Sequence, residues 1–158
     1  MRAWTATVLL TLPAACGAFR LEDLLIRTQE PFVREVEATG YCSCERCCSW
    51  TRSWHGFGHP VFASGRLKGR RKKVGRTADG GQARVGTVAA DTSVLPIGTL
   101  VFIPEFGWGR VEDRGGAIRG NRVDLWFEDH DQALRWGRRK VKAKVWLPPA
   151  RTDGPEAP

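Results

Sequence analysis

Between residues 85 and 146 the chain breaks into short apolar or alternating runs, each closed by a glycine or proline turn. No other feature restricts the fold as strongly. The runs are Val85–Ala90, Thr99–Ile103, Trp108–Glu112, Arg122–Phe127 and Lys140–Trp146. They are bounded by Pro96-Ile97-Gly98, Pro104 to Gly107, Gly115-Gly116, Gly120-Asn121 and Gly137, which is the punctuation of a turn-rich β fold. Glu35–Tyr41, ending in a β-branched and aromatic edge, adds a strand upstream. One helix interrupts the series: Asp129 or Asp131 caps it, Ala133, Leu134 and Trp136 form its apolar stripe, and Gly137 stops it. The expected architecture is a closed or nearly closed β-barrel with one short helix.

The flanking segments read differently. Residues 19–34 are expected to be a linker, with a helical turn at Glu22–Ile26 broken by Glu30-Pro31. Residues 42–76 form a Cys-rich, basic insertion without a sustained period of 2 or 3.6. Residues 147–158 carry four prolines and read as a disordered tail. The first eighteen residues pair Arg2 with a short apolar stretch, Trp4 to Leu12, and then small residues, the layout of a secretory signal. Cys16 after Leu12-Pro13-Ala14-Ala15 resembles a lipobox, so membrane attachment through a lipidated Cys16 competes with cleavage near Ala18. Either route places the protein in the periplasm or cell envelope.

With 158 residues, 42% hydrophobic and 27% charged, the chain is globular and one domain's worth. A net charge of +8 favours an anionic partner, be it nucleic acid, a membrane surface or an acidic wall polymer. Two basic runs carry much of it: Arg66, Lys68, Arg70, Arg71, Lys72, Lys73 and Arg76, then Arg135, Arg138, Arg139, Lys140, Lys142 and Lys144. Each is read first as a solvated face.

Cys42, Cys44, Cys47 and Cys48 crowd into seven residues. In an exported domain an even number of cysteines points to disulfides among them, with the pairing open. Cys44-x2-Cys47 followed by His55-x3-His59 also imitates a zinc ligand set, but the seven-residue gap is shorter than finger spacing. Disulfides are therefore expected, with no metal and no cofactor.

Asp91, Asp113 and Asp124 are the candidate chemical groups. On the strand Arg122–Phe127, Val123, Leu125 and Phe127 share the core face. Arg122, Asp124 and Trp126 share the other, so Asp124 projects away from the core beside an aromatic ring suited to a sugar face. Asp113 and Asp124 flank a span with two glycine-containing turns, and Asp91 ends the strand Val85–Ala90. Taken alone, aspartates at strand ends are more often turn caps than catalysts.

The order of motifs decides between these readings. The segment from Val85 to Pro104, with Gly86, Ala89, Asp91, Pro96, Gly98, Thr99, Ile103 and Pro104, resembles the "G-x-x-A-x-D … P-x-G-T-x-x-x-I-P" half of the bacterial 3D domain, a family named for three aspartates. Asp113-Arg114-Gly115-Gly116-Ala117-Ile118-Arg119-Gly120, continuing through Asp124-Leu125, resembles its "D-x-G-G-A-I-K-G-x-x-x-D-L" signature. Ala38-Thr39-Gly40-Tyr41 is similar to its opening, and Trp136 to Arg139 with Val141 to Trp146 to its close.

That resemblance implies a six-stranded double-psi β-barrel over residues 35–146, shared with membrane-bound lytic transglycosylase A and small cell-wall enzymes. It implies a monomeric, cofactor-free peptidoglycan lytic transglycosylase acting on glycan strands, cutting the MurNAc–GlcNAc β-1,4 bond with a 1,6-anhydro product. By motif position Asp124 is the catalytic acid/base, Asp113 its supporting carboxylate and Asp91 the third aspartate. Trp126, Arg122, Thr77, Asp79, Gly115 and Gly116 are the expected substrate contacts. One departure stands out: the family's "T-A-S-G" is here Thr77-Ala78-Asp79-Gly80, a fourth acid near the groove. The competing function is a non-catalytic, expansin-like wall-binding module. Nucleic acid is not an expected partner.

Overall fold

The computed structural model describes residues 21–54 and 57–149. The expected signal, Cys16, His55 and most of the proline-rich tail lie outside them. Among the described residues there are eight strands: β1 (Phe32–Tyr41), β2 (Trp50–Arg52), β3 (Pro60–Phe62), β4 (Thr87–Ala90), β5 (Leu100–Ile103), β6 (Gly107–Asp113), β7 (Arg122–Trp126) and β8 (Arg138–Trp146). Three short helices accompany them: α1 (Leu21–Arg27), α2 (Glu45–Cys48) and α3 (His130–Trp136). Six strands close into a barrel in the order β1-β7-β4-β6-β5-β8, the expected double-psi architecture. Two neighbouring pairs, β1 with β7 and β4 with β6, are parallel, and the remaining pairs are antiparallel. Each of the six barrel strands has two hydrogen-bonded neighbours, so the barrel leaves no backbone edge open.

The barrel interior is filled by Val36, Ala38, Val88, Ala90, Val101, Ile103, Val111, Val123, Leu125, Ala143 and Val145. These are the inward positions of alternating strands. In β8 the alternation is plain: Ala143 and Val145 are buried while Lys140, Lys142 and Lys144 face out. Each fully buried Val or Leu here contributes about 1.5–3 kcal/mol relative to exposure.

The expected α3 forms as read at its ends. The Asp129 carboxylate accepts from the Gln132 amide at 2.7 Å, and Gly137, at φ 67°, closes the last turn. Its stripe is narrower than expected. Ala133 and Trp136 are buried, but Leu134 is 63% exposed. Residues 133 and 136 are three apart and share a face, whereas 134 is turned about 100° from 133.

Other segments differ more from the sequence reading. Within the expected linker, the described residues from 21 on pack against the barrel: Ile26 of α1 is buried with Leu100 and Trp146, and Asp23 forms a buried ion pair with Arg110. The Trp146 indole N–H donates to the Gln29 carbonyl at 2.9 Å, tying α1's exit to β8. β1 starts at Phe32 rather than Glu35. Phe32 and Val33 pair with β8 yet stay 40% and 62% exposed, so backbone pairing extends the strand without burying these apolar side chains. The insertion is only partly irregular, since β2 and β3 form a small antiparallel sheet and α2 precedes it. Three-residue strands are too short to display a period.

Candidate functional site

Strand register assembles the aspartates. Ala89 on β4 is the Cα partner of Asp124 on β7 at one side and of Asp113 on β6 at the other. Two strand spacings therefore separate the two acids, about 9–10 Å between their Cα atoms. A shift of register between Val88 and Ala89 brings Asp113, rather than Glu112, opposite Ala89. Glu112 instead turns inward, where it is buried and accepts hydrogen bonds from Thr87 at 2.8 Å and Arg84 at 2.9 Å.

The parity read for β7 holds: Val123 and Leu125 are buried, and Arg122, Asp124 and Trp126 are half-buried. Asp124 Oδ1 accepts from the Thr39 hydroxyl of the adjacent β1 at 2.9 Å. Burial pushes the Asp124 carboxyl above the usual range, against the lowering influence of the Thr39 hydrogen bond and Arg122; the Asp113 charge adds a smaller upward push. Desolvation is thus the main cause, and repulsion within the pair is secondary. Asp113 Oδ1 accepts from the amides of Arg114, at 2.8 Å, and Ala78, at 3.0 Å.

Asp91 has a different environment. Its Oδ1 accepts from the Ser93 hydroxyl at 2.7 Å and amide at 3.1 Å, and its Oδ2 from the Gly120 amide at 2.8 Å. The Ser93 hydroxyl, then the Gly120 and Ser93 amides, hold its carboxyl below the usual range. Asp91 is an ionised clamp between the 91–95 turn and the loop before β7.

Two hollows meet at Arg114. One, of about 440 Å³, is lined by Tyr41, Thr77, Asp113 and Arg114, with Arg71, Lys72, Lys73 and Arg76 from the first basic run. The other, of about 330 Å³, is lined by Asp91, Gly115, Gly116, Ile118 and Arg119. The basic run is therefore more than a solvated face. Thr77 lines the first hollow, and Gly115 and Gly116 line the second.

Asp79, Trp126 and Arg122 do not line either hollow. The Asp79 carboxylate accepts from the Thr77 hydroxyl at 2.6 Å and the Gly81 amide at 2.9 Å. It shapes the turn whose Ala78 amide reaches Asp113. The Trp126 indole N–H donates to the Ser43 hydroxyl at 3.1 Å, so its polar edge holds the insertion. Arg122 pairs with Glu37 at 2.9 Å.

Sequence reasoning missed Tyr41. Its hydroxyl is buried and without a hydrogen-bond partner, in the wall of the larger hollow. Burial, followed by the charges of Asp113 and Asp124, holds it firmly protonated. Thr39 and Tyr41 lie two apart on β1, so strand parity was the signal that pointed to both.

The cysteines do not form the expected disulfides: Cys42, Cys44, Cys47 and Cys48 are free. Nor does the spacing-based ligand set assemble, because His59 is exposed and stands outside the group. Cys42, Cys44 and Cys47 instead converge with His130, the first residue of α3.

Residues 86–147 match the 3D domain. The Bacillus subtilis protein YabE, named for cell wall shaping, is 38% identical over 58 residues, 37% of this chain. Cell wall-binding protein YocH of the same organism is 36% identical over 58 residues. The chain spans only 14% and 20% of the lengths of these relatives. A crystal structure of MltA from E. coli is 23% identical with a TM-score of 0.38, covering 44% of this chain and 26% of that one.

Proposed function

We propose that this chain acts outside the cytoplasm on the bacterial cell wall, cleaving peptidoglycan glycan strands by lytic transglycosylation with Asp124 as the proton carrier. The observation that carries this reading is the Asp124 carboxyl, desolvated to a raised proton affinity beside Asp113 at the barrel rim. A group that donates a proton to a glycosidic oxygen must arrive protonated, and burial favours that state. Asp124 then takes, as carboxylate, the proton of the sugar's own 6-hydroxyl as that oxygen closes the anhydro ring. No water enters, so a second catalytic carboxylate is not obligatory, in contrast to ordinary glycoside hydrolysis. The Ala78 and Arg114 amides donate to Asp113 and fix its carboxyl as the supporting group of the reacting centre. Tyr41 offers a neutral donor in the same wall, and Asp91 positions the loop before β7.

Digestion of purified peptidoglycan, with the ends identified by chromatography and mass spectrometry, tests this. Anhydro-muropeptides are expected from the wild type and not from Asp124→Asn. Equal release by both proteins rejects Asp124 as the proton carrier.

A second reading, a wall-binding module without turnover, is favoured by one observation. Arg71, Lys72, Lys73 and Arg76 gather at the larger hollow and suit anionic stem peptides. Retention on wall material with no new anhydro ends selects it.

A further inference from the structure

Four soft or borderline donors from two distant stretches of chain meet at one point. Cys42 follows β1, Cys44 caps α2, Cys47 lies within it, and His130 opens α3. The imidazole Nδ1 lies 3.4 Å from Cys47 Sγ, 3.5 Å from Cys44 Sγ and 3.9 Å from Cys42 Sγ. Cys42 and Cys47 Sγ are 3.8 Å apart, and all four donor atoms lie within 4.8 Å of one another.

These separations match the edges of a metal tetrahedron. Zinc–sulfur bonds of about 2.3 Å and a zinc–nitrogen bond of about 2.0–2.1 Å place S···S near 3.8 Å and S···N near 3.6 Å. A hydrogen-bonded cluster does not account for the arrangement, because one imidazole nitrogen accepts a single S–H, not three. A nucleophilic Cys–His pair needs one thiol at the imidazole and room for a substrate, whereas here three sulfurs crowd the same nitrogen.

We propose that Cys42, Cys44, Cys47 and His130 bind one zinc ion in a closed Cys3His site. Thiolate-rich tetrahedral sites select zinc over the hard cations magnesium and calcium. On binding, the three thiols give up their protons to solvent and His130 coordinates as the neutral ring through Nδ1. Four protein donors leave no open position, which makes the site structural rather than catalytic. The Cys47 amide already points at Cys44 Sγ, at 3.4 Å, the kind of outer hydrogen bond that orients a thiolate ligand.

The ion joins the start of the insertion to α3. It fixes the residues on either side of Cys42: Tyr41, in the wall of the larger hollow, and Ser43, which receives the Trp126 N–H. Cys48 is not a ligand; its thiol donates to the Cys42 carbonyl at 3.2 Å. That separates it from its three neighbours in a testable way.

Elemental analysis of the full chain, purified under reducing conditions, is expected to find about one zinc per chain. Cobalt substitution should give the intense visible bands of a tetrahedral thiolate site. Cys44→Ser, Cys47→Ser and His130→Ala each lose the cobalt spectrum, while Cys48→Ser and His59→Ala keep it. In the wild type, zinc protects three of these four thiols from alkylation, and chelation lowers Tm by roughly 10 °C. This wild-type measurement decides the matter even where a ligand variant fails to fold. A reduced protein that takes up neither zinc nor cobalt overturns the proposal. So does a spectrum lost equally in Cys48→Ser, or a native protein whose four cysteines are paired in disulfides.

Discussion

The barrel rim and the cysteine cluster both gather ionisable side chains, and they do it by different means. At the rim, Asp113 and Asp124 come from strands on either side of β4, and hydrogen-bond register alone places them about Ala89. In the cluster, Cys42 and His130 are 88 positions apart, and the β1–β7 ladder that ends on Tyr41 and Trp126 only brings their segments near each other. Their meeting depends on how α3 packs on the barrel. The electrostatic outcome differs too. At the rim, burial raises the proton affinity of Asp124 against the pull of Thr39 and Arg122, with a smaller push from Asp113. Three thiols and an imidazole at one point are best reconciled by sharing a cation. A ladder can set the spacing of like charges finely, whereas a convergence of donors needs an ion to hold it.

The sharpest way to break this comparison is Asp124→Asn. Loss of general acid–base catalysis should lower the release of anhydro ends by about 10²–10⁴-fold. Near-wild-type release would leave the rim without its proton carrier. Leu125→Ala tests the layer beneath. Leu125 is fully buried next to Asp124, and truncation should cost about 2–5 kcal/mol in denaturant unfolding. A cost under 1 kcal/mol would mean that the barrel interior does not fix the register. Tyr41→Phe removes a buried, unpartnered hydroxyl, so it should leave stability unchanged or raise it by about 1–3 kcal/mol while slowing turnover. A clear loss of stability would show that the hydroxyl is satisfied in solution.

Desolvated Asp124 and clamped Asp91 should respond to pH with opposite signs. Burial raises the folded proton affinity of Asp124, so its contribution is full below its unfolded pKa and is lost as pH rises through the folded value. Asp124→Asn should therefore raise Tm at neutral pH, with the gain shrinking on acidification. Hydrogen bonds depress the folded pKa of Asp91, so its contribution is present above the unfolded value and lost as pH falls through the folded one. Asp91→Asn should lower Tm at neutral pH, and the deficit should close in acid. Melting curves across the carboxylate range decide both, and shifts of the same sign would show that the environments are not distinct. The smallest expected effect is that of Thr39→Val. Removing the 2.9 Å hydrogen bond should move the Asp124-linked limb of the pH–rate profile upward.

Much of the barrel was legible because its signals are local. Alternation in β7 and β8, glycine turns between strands and the Asp129–Gly137 caps each depend on a few adjacent residues. The same locality explains the errors. Glu22–Ile26 looks like a helical turn in a linker until Ile26 finds Leu100 and Trp146. Leu134 looks like core until α3 packs through Ala133 and Trp136.

The sequence by itself determined the six strands of the barrel, which face of β7 carries Asp124, and which motifs resemble the 3D domain. Only the tertiary structure decided that Asp124 is desolvated while Asp91 is clamped in ionised form, that Tyr41 joins the site, and that the fourth member of the cysteine cluster is His130 rather than a nearby histidine. The reason is one of range. Periodicity and turn chemistry act over a few residues, whereas burial and the convergence of donors depend on segments that meet only when the barrel closes.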